Sequence, residues 1–197
     1  MRKLKSLLVT VGMVGMCLPT QANIVTFSGL AGPNGSAFTN YSEVGFDLTS
    51  SGGFVQAFFF GNPIPDIFAP SGSLSGAFTT VRSGGGTFVF NGVDIANANG
   101  QSGISFLLEG FLGAGTVFSS GSALTLSTGF SSYSSPSNAV IDRLRISYTT
   151  ATSLSGSVLN VDNINVSPSS VPEPGTLTLF AIGASGLTLF RRRRNSK

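Results

Sequence analysis

Between residues 23 and 167 no stretch keeps apolar side chains at helical spacing for three turns; short runs alternate apolar and polar instead. Val25 and Phe27 open the first. Val44, Phe46 and Leu48 alternate with Gly45, Asp47 and Thr49, and Val55, Ala57 and Phe59 follow. Phe88 and Phe90 end a run that the Asn91-Gly92 pair marks as a turn. Ile104, Phe106 and Leu108 form another; Val117 starts a strand, and Leu124 and Leu126 sit on the next. Val140, Asp142, Leu144, Ile146 and Tyr148 share one phase, and Val158, Asp162, Ile164 and Val166 share another. Phe58-Phe59-Phe60 reads as a strand buried on both faces. Gly, Ser, Asn and Pro fill the gaps, as turns require. A period of two repeated over about eight to ten segments is the pattern of an all-β sandwich or barrel.

The chain must hold that fold without disulfides, since its one cysteine is Cys17. Its 17 phenylalanines supply the bulk that an absent tryptophan would otherwise give. There is no histidine. Ser-His-Asp and Cys-His catalysis, and His- or Cys-ligated zinc or iron, are thereby excluded from the body of the chain. The net charge of +3 misleads. Eight of the eleven basic residues lie at the two ends, leaving Arg82, Arg143 and Arg145 against seven acids between them. The middle is therefore acidic, and the basic balance gives no support for nucleic-acid binding.

Residues 1–22 read as a secretory signal helix: Arg2, Lys3 and Lys5, an apolar stretch from Leu7 to Leu18, then Thr20-Gln21-Ala22 with small residues before a cut by signal peptidase. Met16 argues against a lipid attachment at Cys17. The other end carries Pro172-Glu173-Pro174-Gly175, an uncharged stretch from Thr176 to Phe190, and Arg191-Arg192-Arg193-Arg194. Pro174 to Phe190 is 17 residues, at the short limit of a transmembrane helix. The arginines would hold its far end on the cytoplasmic side. The expected divisions are a signal peptide (1–22), a β domain (23–167), a linker with the Pro-Glu-Pro motif (168–175) and a C-terminal helix with its arginine cluster (176–197).

Pro172, Glu173 and Pro174, followed by a short apolar helix and an arginine cluster, resemble the PEP-CTERM sorting signal of Gram-negative bacteria. The resemblance implies recognition by an exosortase, an inner-membrane tether before processing, and association with exopolysaccharide or biofilm matrix. A looser resemblance concerns the middle. Tyr41 with Gly45-Phe46, Ile141-Asp142-Arg143-Leu144 and Asp162-Asn163-Ile164 look like parts of exported jelly-roll domains of the galactose-binding or carbohydrate-binding type. It implies an antiparallel β-sandwich of jelly-roll type.

Asp142 and Asp162 fall in phase with apolar neighbours, so both are expected on the core side. A buried carboxylate must be offset by backbone N–H groups, an arginine, a bulge or a metal. Calcium suits oxygen ligands from Asp142, Asp162 and Asn163; strand-end carboxylates bonding loop amides is the simpler reading. Tyr133 lies in a loop-like Gly-Ser stretch and is either a sugar-stacking ring or a cover for the sandwich edge. Arg143 and Arg145 share an outward phase and could grip an acidic polysaccharide. Ser83-Gly84-Gly85-Gly86 lacks the Lys-Ser/Thr and helix of a phosphate loop and reads as a turn. Seven acids permit a glycosidase by count, but nothing selects a pair. The reading is an exported, non-enzymatic surface or matrix protein, with a carbohydrate-binding module as the alternative and a glycoside hydrolase as the least favoured.

Overall fold

The computed structural model describes residues 22–123, 128–156 and 159–169, and these form thirteen strands. In chain order they are β1 (Asn23–Val25), β2 (Asn40–Glu43), β3 (Phe46–Gly52), β4 (Val55–Ala57), β5 (Asp66–Phe68), β6 (Ser75–Arg82), β7 (Phe88–Asn97), β8 (Ile104–Leu112), β9 (Gly115–Ala123), β10 (Ser131–Ser134), β11 (Val140–Ile141), β12 (Arg143–Thr150) and β13 (Leu159–Pro168). A seven-stranded sheet runs β10-β7-β13-β5-β4, with β1 added to β13 and β11 to β7; a six-stranded sheet runs β2-β3-β6-β12-β8-β9. Every pairing is antiparallel. From β5 to β8 the chain changes sheet at every step, and it does so again from β11 through β12 to β13. This is an antiparallel β-sandwich of jelly-roll type.

The core lies between the sheets and is built from phenylalanine. Phe46 meets Phe88 edge-to-face at 5.2 Å, joining β3 to β7 across the sandwich. Phe54 packs edge-to-face on Phe78 at 5.2 Å and on Tyr148 at 5.3 Å. Such pairs contribute roughly 0.5–1.5 kcal/mol each beyond area burial. The Tyr148 hydroxyl is satisfied by donating to the Gly53 carbonyl at 2.9 Å.

Several local expectations are corrected by the register. Val44 does not continue the strand of Phe46: with Gly45 it makes the two-residue turn of the β2–β3 hairpin, at φ 45° and 82°, and is largely exposed. Asn91-Gly92 is not a turn, since β7 passes straight through it. Phe58-Phe59-Phe60 is not a buried strand. β4 stops at Ala57, and Phe59 stands 85% exposed. Val140 and Leu144 do not share a face either. The chain bends at Asp142 as it leaves β11 in one sheet for β12 in the other, so Ile141 and Leu144 are buried while Val140 is exposed. The expected signal and transmembrane helices, Cys17, Leu124, Leu126 and the Pro172–Arg194 motif lie outside the described residues.

Candidate functional site

The outer face of the seven-stranded sheet carries a transverse row of aspartates. Asp162 on β13 pairs with Asp94 on β7, which in turn pairs with Ser132 on β10. Val161 pairs with Ile67 in the core, so Asp162 and Asp66 are the next residues along on adjacent strands. The row is not open to water on its β5–β13 side. Asp66, Asn160 and Asp162 are all 0% exposed. The strap between β4 and β5, residues 58–65, is tied down over them. Asn62 N–H donates to Asp162 Oδ2 at 2.5 Å, the Asn163 carboxamide donates to the Asn62 carbonyl, and Phe60 stacks on Phe130 at 5.2 Å.

Asp162 was expected in phase with Ile164 and Val166 on the core side. It is buried, but on the other face. Asn163 takes a left-handed φ of 48°, and the β13–β7 register shifts between Asp162 and Asn165. This bulge turns Ile164 and Val166 into the core and leaves Asp162 beneath the strap. Its oxygens accept the Asn62 and Asn163 N–H groups, the latter at 2.8 Å, so the charge is offset by backbone amides. The Asn163 carboxamide also donates to Asp94 Oδ2 at 2.9 Å, and Ser132 donates to Asp94 Oδ1 at 2.6 Å. Burial is the main cause that pushes Asp162 up to about 6, and it lifts Asp66 further, to about 8. Among the described residues, Asp66 accepts one side-chain bond, from Asn160 Nδ2 at 2.8 Å. Asp66 Oδ1 and Asn160 Oδ1 are buried with no partner among the described residues. Nothing in the sequence singled out Asp66, which sits in a Pro-rich segment outside any alternating run.

Asp142 is not brought to this row. Its neighbour Ile141 pairs with Phe88, six residues along β7 from Asp94, roughly 20 Å away at the rise of a strand. It accepts the Gly113 N–H at 2.6 Å, an ordinary loop bond. Asp142, Asp162 and Asn163 therefore do not form one calcium site, and among the described residues no three His, Cys, Asp or Glu side chains gather as a metal-binding group.

Tyr133 is in a strand, not a loop. It pairs with buried Val93, so its ring faces inward and meets Phe106 edge-to-face at 4.6 Å. Arg143 and Arg145 do face outward, on β12 between buried Leu144 and Ile146. Arg143 lies over the Phe111 ring at 4.5 Å, and Arg145 reaches Glu109 at 3.5 Å. Around them this outer face is floored by small and hydroxyl side chains. Shallow depressions of about 400 and about 490 Å³ flank β12, with Ser147 and Thr149 common to both and Arg145 lining the larger.

At the other face, beside the strap, is a pocket of about 340 Å³ lined by Asn34, Phe59, Phe60, Phe68, Asn99 and Asn160, among others. The Phe58 N–H donates to Asn34 Oδ1 at 3.0 Å and fixes that carboxamide at the rim.

Residues 170–194 match the PEP-CTERM protein-sorting motif. The match takes in Pro172, Glu173, Pro174 and the four arginines. A PEP-CTERM motif marks an exported protein sorted by an exosortase at the membrane. No curated protein matches the chain. Solved structures similar to it include a family 29 carbohydrate-binding module from Piromyces equi, at 13% identity over 80% of this chain and 96% of that one, with a TM-score of 0.44. TmCBM61 in complex with β-1,4-galactotriose matches at 10% identity over 62% of this chain and 88% of that one, with a TM-score of 0.41. A Ruminococcus gnavus GH29 fucosidase matches at 16% identity over 64% of this chain but 26% of its own, with a TM-score of 0.37. Scores this low make none of these proteins a guide to the chemistry of this chain, and its fold rests on its own strand pairing.

Proposed function

We propose that this PEP-CTERM protein is a non-catalytic component of a cell surface or extracellular matrix, associated with exopolysaccharide or biofilm in a Gram-negative bacterium. Signal peptidase would free its N-terminus. The C-terminal segment would tether it to the inner membrane until the exosortase acts. One observation supports the non-catalytic reading: each carboxylate of the described sandwich has a hydrogen-bond or ion-pair partner within the domain, and of the aspartates that cluster Asp66 and Asp162 are buried. Glu43 accepts Thr26 N–H and Oγ1, Phe27 N–H and Ser28 Oγ. Asp47 accepts Ser42 and Ser83. Asp66, Asp94, Asp142 and Asp162 are bonded as described, and Glu109 pairs with Arg145. A glycosidase needs two carboxylates facing each other across an open cleft; the aspartates that do come together, Asp66, Asp94 and Asp162, lie side by side on neighbouring strands, and Asp66 and Asp162 are sealed from solvent.

The face that supports polymer contact is the outward side of the six-stranded sheet, where Arg143 lies over Phe111 and Arg145 lines a depression with Ser147 and Thr149. Uronate groups of an acidic polysaccharide would pair with the two guanidinium groups, in a manner weakened by salt. The test is co-sedimentation of the secreted protein with alginate and with neutral dextran. Retention by alginate, lost in Arg143→Ala/Arg145→Ala, is the expected result. Equal behaviour of parent and variant would remove the acidic-polymer contact. The alternative, a carbohydrate-binding module with one defined glycan, predicts a single class of positives on a glycan array in place of a graded response to anionic polymers.

A further inference from the structure

Phe59 is the most exposed large apolar side chain among the described residues, at 85%. It is not at the end of a loose loop. On one side Phe58 is bonded to Asn34; on the other, Phe60 is stacked on Phe130 and Asn62 is tied to Asp162 and Asn163. A strap fixed on both sides that holds an aromatic ring in water needs a reason. The ring edges a concavity whose lining, among the described residues, includes no charged side chain but three carboxamides, those of Asn34, Asn99 and Asn160. Asn160, buried on the outward-facing side of β13, brings an acceptor oxygen that no group among the described residues bonds. Aromatic walls with a few fixed polar groups are the make-up of a small-ligand site. An aromatic face takes the C–H surface of a sugar ring, and carboxamides both donate to and accept from its hydroxyls. The absence of charge in the lining selects against uronates and phosphates. A membrane contact would want basic residues beside the ring, and none lines this pocket.

We propose that the pocket beside Phe59 binds one unit of a neutral sugar, its ring against Phe59 and its hydroxyls bonded by the carboxamides of Asn34 and Asn160. This site lies on the opposite sheet from Arg143 and Arg145 and does not depend on the acidic-polymer contact. The two fail separately: alginate retention reports on the arginine face, and the following experiment on the pocket. The secreted protein, labelled with 15N, is titrated with the methyl glycosides of glucose, galactose and mannose, with glucuronate as the charged control. At least one methyl glycoside is expected to shift the amides of Asn34 and Phe59–Gly61 saturably, and glucuronate is not. Phe59→Ala, whose side chain supports no core contact, should keep the parent melting temperature and weaken binding about tenfold, as loss of an aromatic contact does. Asn34→Asp retains an acceptor for Phe58 N–H while removing the donor, and should weaken the same titration. Arg145→Ala should leave it unchanged. The proposal is overturned if no methyl glycoside produces a saturable shift, if the shifts fall on Arg143–Ser147 instead, or if neither Phe59→Ala nor Asn34→Asp changes the affinity.

Discussion

Burial keeps Asp66 and Asp162 protonated further up the pH scale than an exposed aspartate, to about 8 and about 6 against an ordinary 3.8. Both folded-state values are raised, so folding takes up protons. The stability they contribute is full in acid below the unfolded value. It declines as pH rises, through about 6 for Asp162 and about 8 for Asp66. Chemical denaturation across that range is expected to show the sandwich losing stability toward alkaline pH, the reverse of a protein whose carboxylates sit in salt bridges. Asp66→Asn mimics the protonated acid. It should change little in mild acid and raise the melting temperature above pH about 8; a variant that melts lower at both ends would show that the charge of Asp66 is needed. Because Asp162 is satisfied by backbone amides, calcium and a chelator should leave the melting temperature of the parent where it is. At this scale the sequence was half legible. Asp162 drew attention by its phase, but its true face depended on the φ of Asn163, which no neighbour announces. Tyr133 reads as a loop residue because Ser and Gly surround it; pairing with β7, about forty residues earlier in the chain, turns its ring inward.

The strap and the bulge are one device. Asn163 both kinks β13 and, through its carboxamide, bonds Asn62 and Asp94. Asn163→Ala removes those bonds at a left-handed position and should cost about 1–3 kcal/mol. Amide exchange should rise at Asn62 and its neighbours before it rises in β7; uniform exchange with no local increase would mean that the strap is held elsewhere. A second element-level constraint is the contact of β6 with the turn after β3. A Cβ at Gly53, where φ is +78°, would lie 2.5 Å from Gly76 Cα and from the Ser75 carbonyl oxygen. Neither backbone can withdraw without breaking the sheet, so Gly53→Ala should lower stability by at least about 2 kcal/mol in urea. By contrast Gly35→Ala meets no atom within 4 Å and is strained only by its φ. Strands such as β8 and β12 were readable from alternation because each has one face in the core. Val44, Asn91-Gly92 and Phe58–Phe60 were misread because a turn, a through-strand and a strap can be built from residue pairs that look the same out of context.

For the whole molecule, the class of fold was legible and the arrangement was not. Period-two patterning fixes that strands form; it says nothing of β13 lying between β7 and β5, pairings that join residues far apart in the chain. The sorting motif was the clearest feature of all, because three signals in order along residues 172–194 need no tertiary context. Mass spectrometry of the surface form from cells with and without an exosortase is expected to differ by the residues beyond the Pro172–Pro174 motif. An identical, full-length mass in both would sink the processing claim.

The pairing of β1 with β13 sets Asn23 beside Val166, so the first and the last strand of the sandwich have their outer ends at one pole. Asn160, which floors the Phe59 concavity, sits six residues back along β13, roughly 20 Å from that pole. A tether joined after β13, as proposed above, would therefore take hold at the far end of that strand from this concavity.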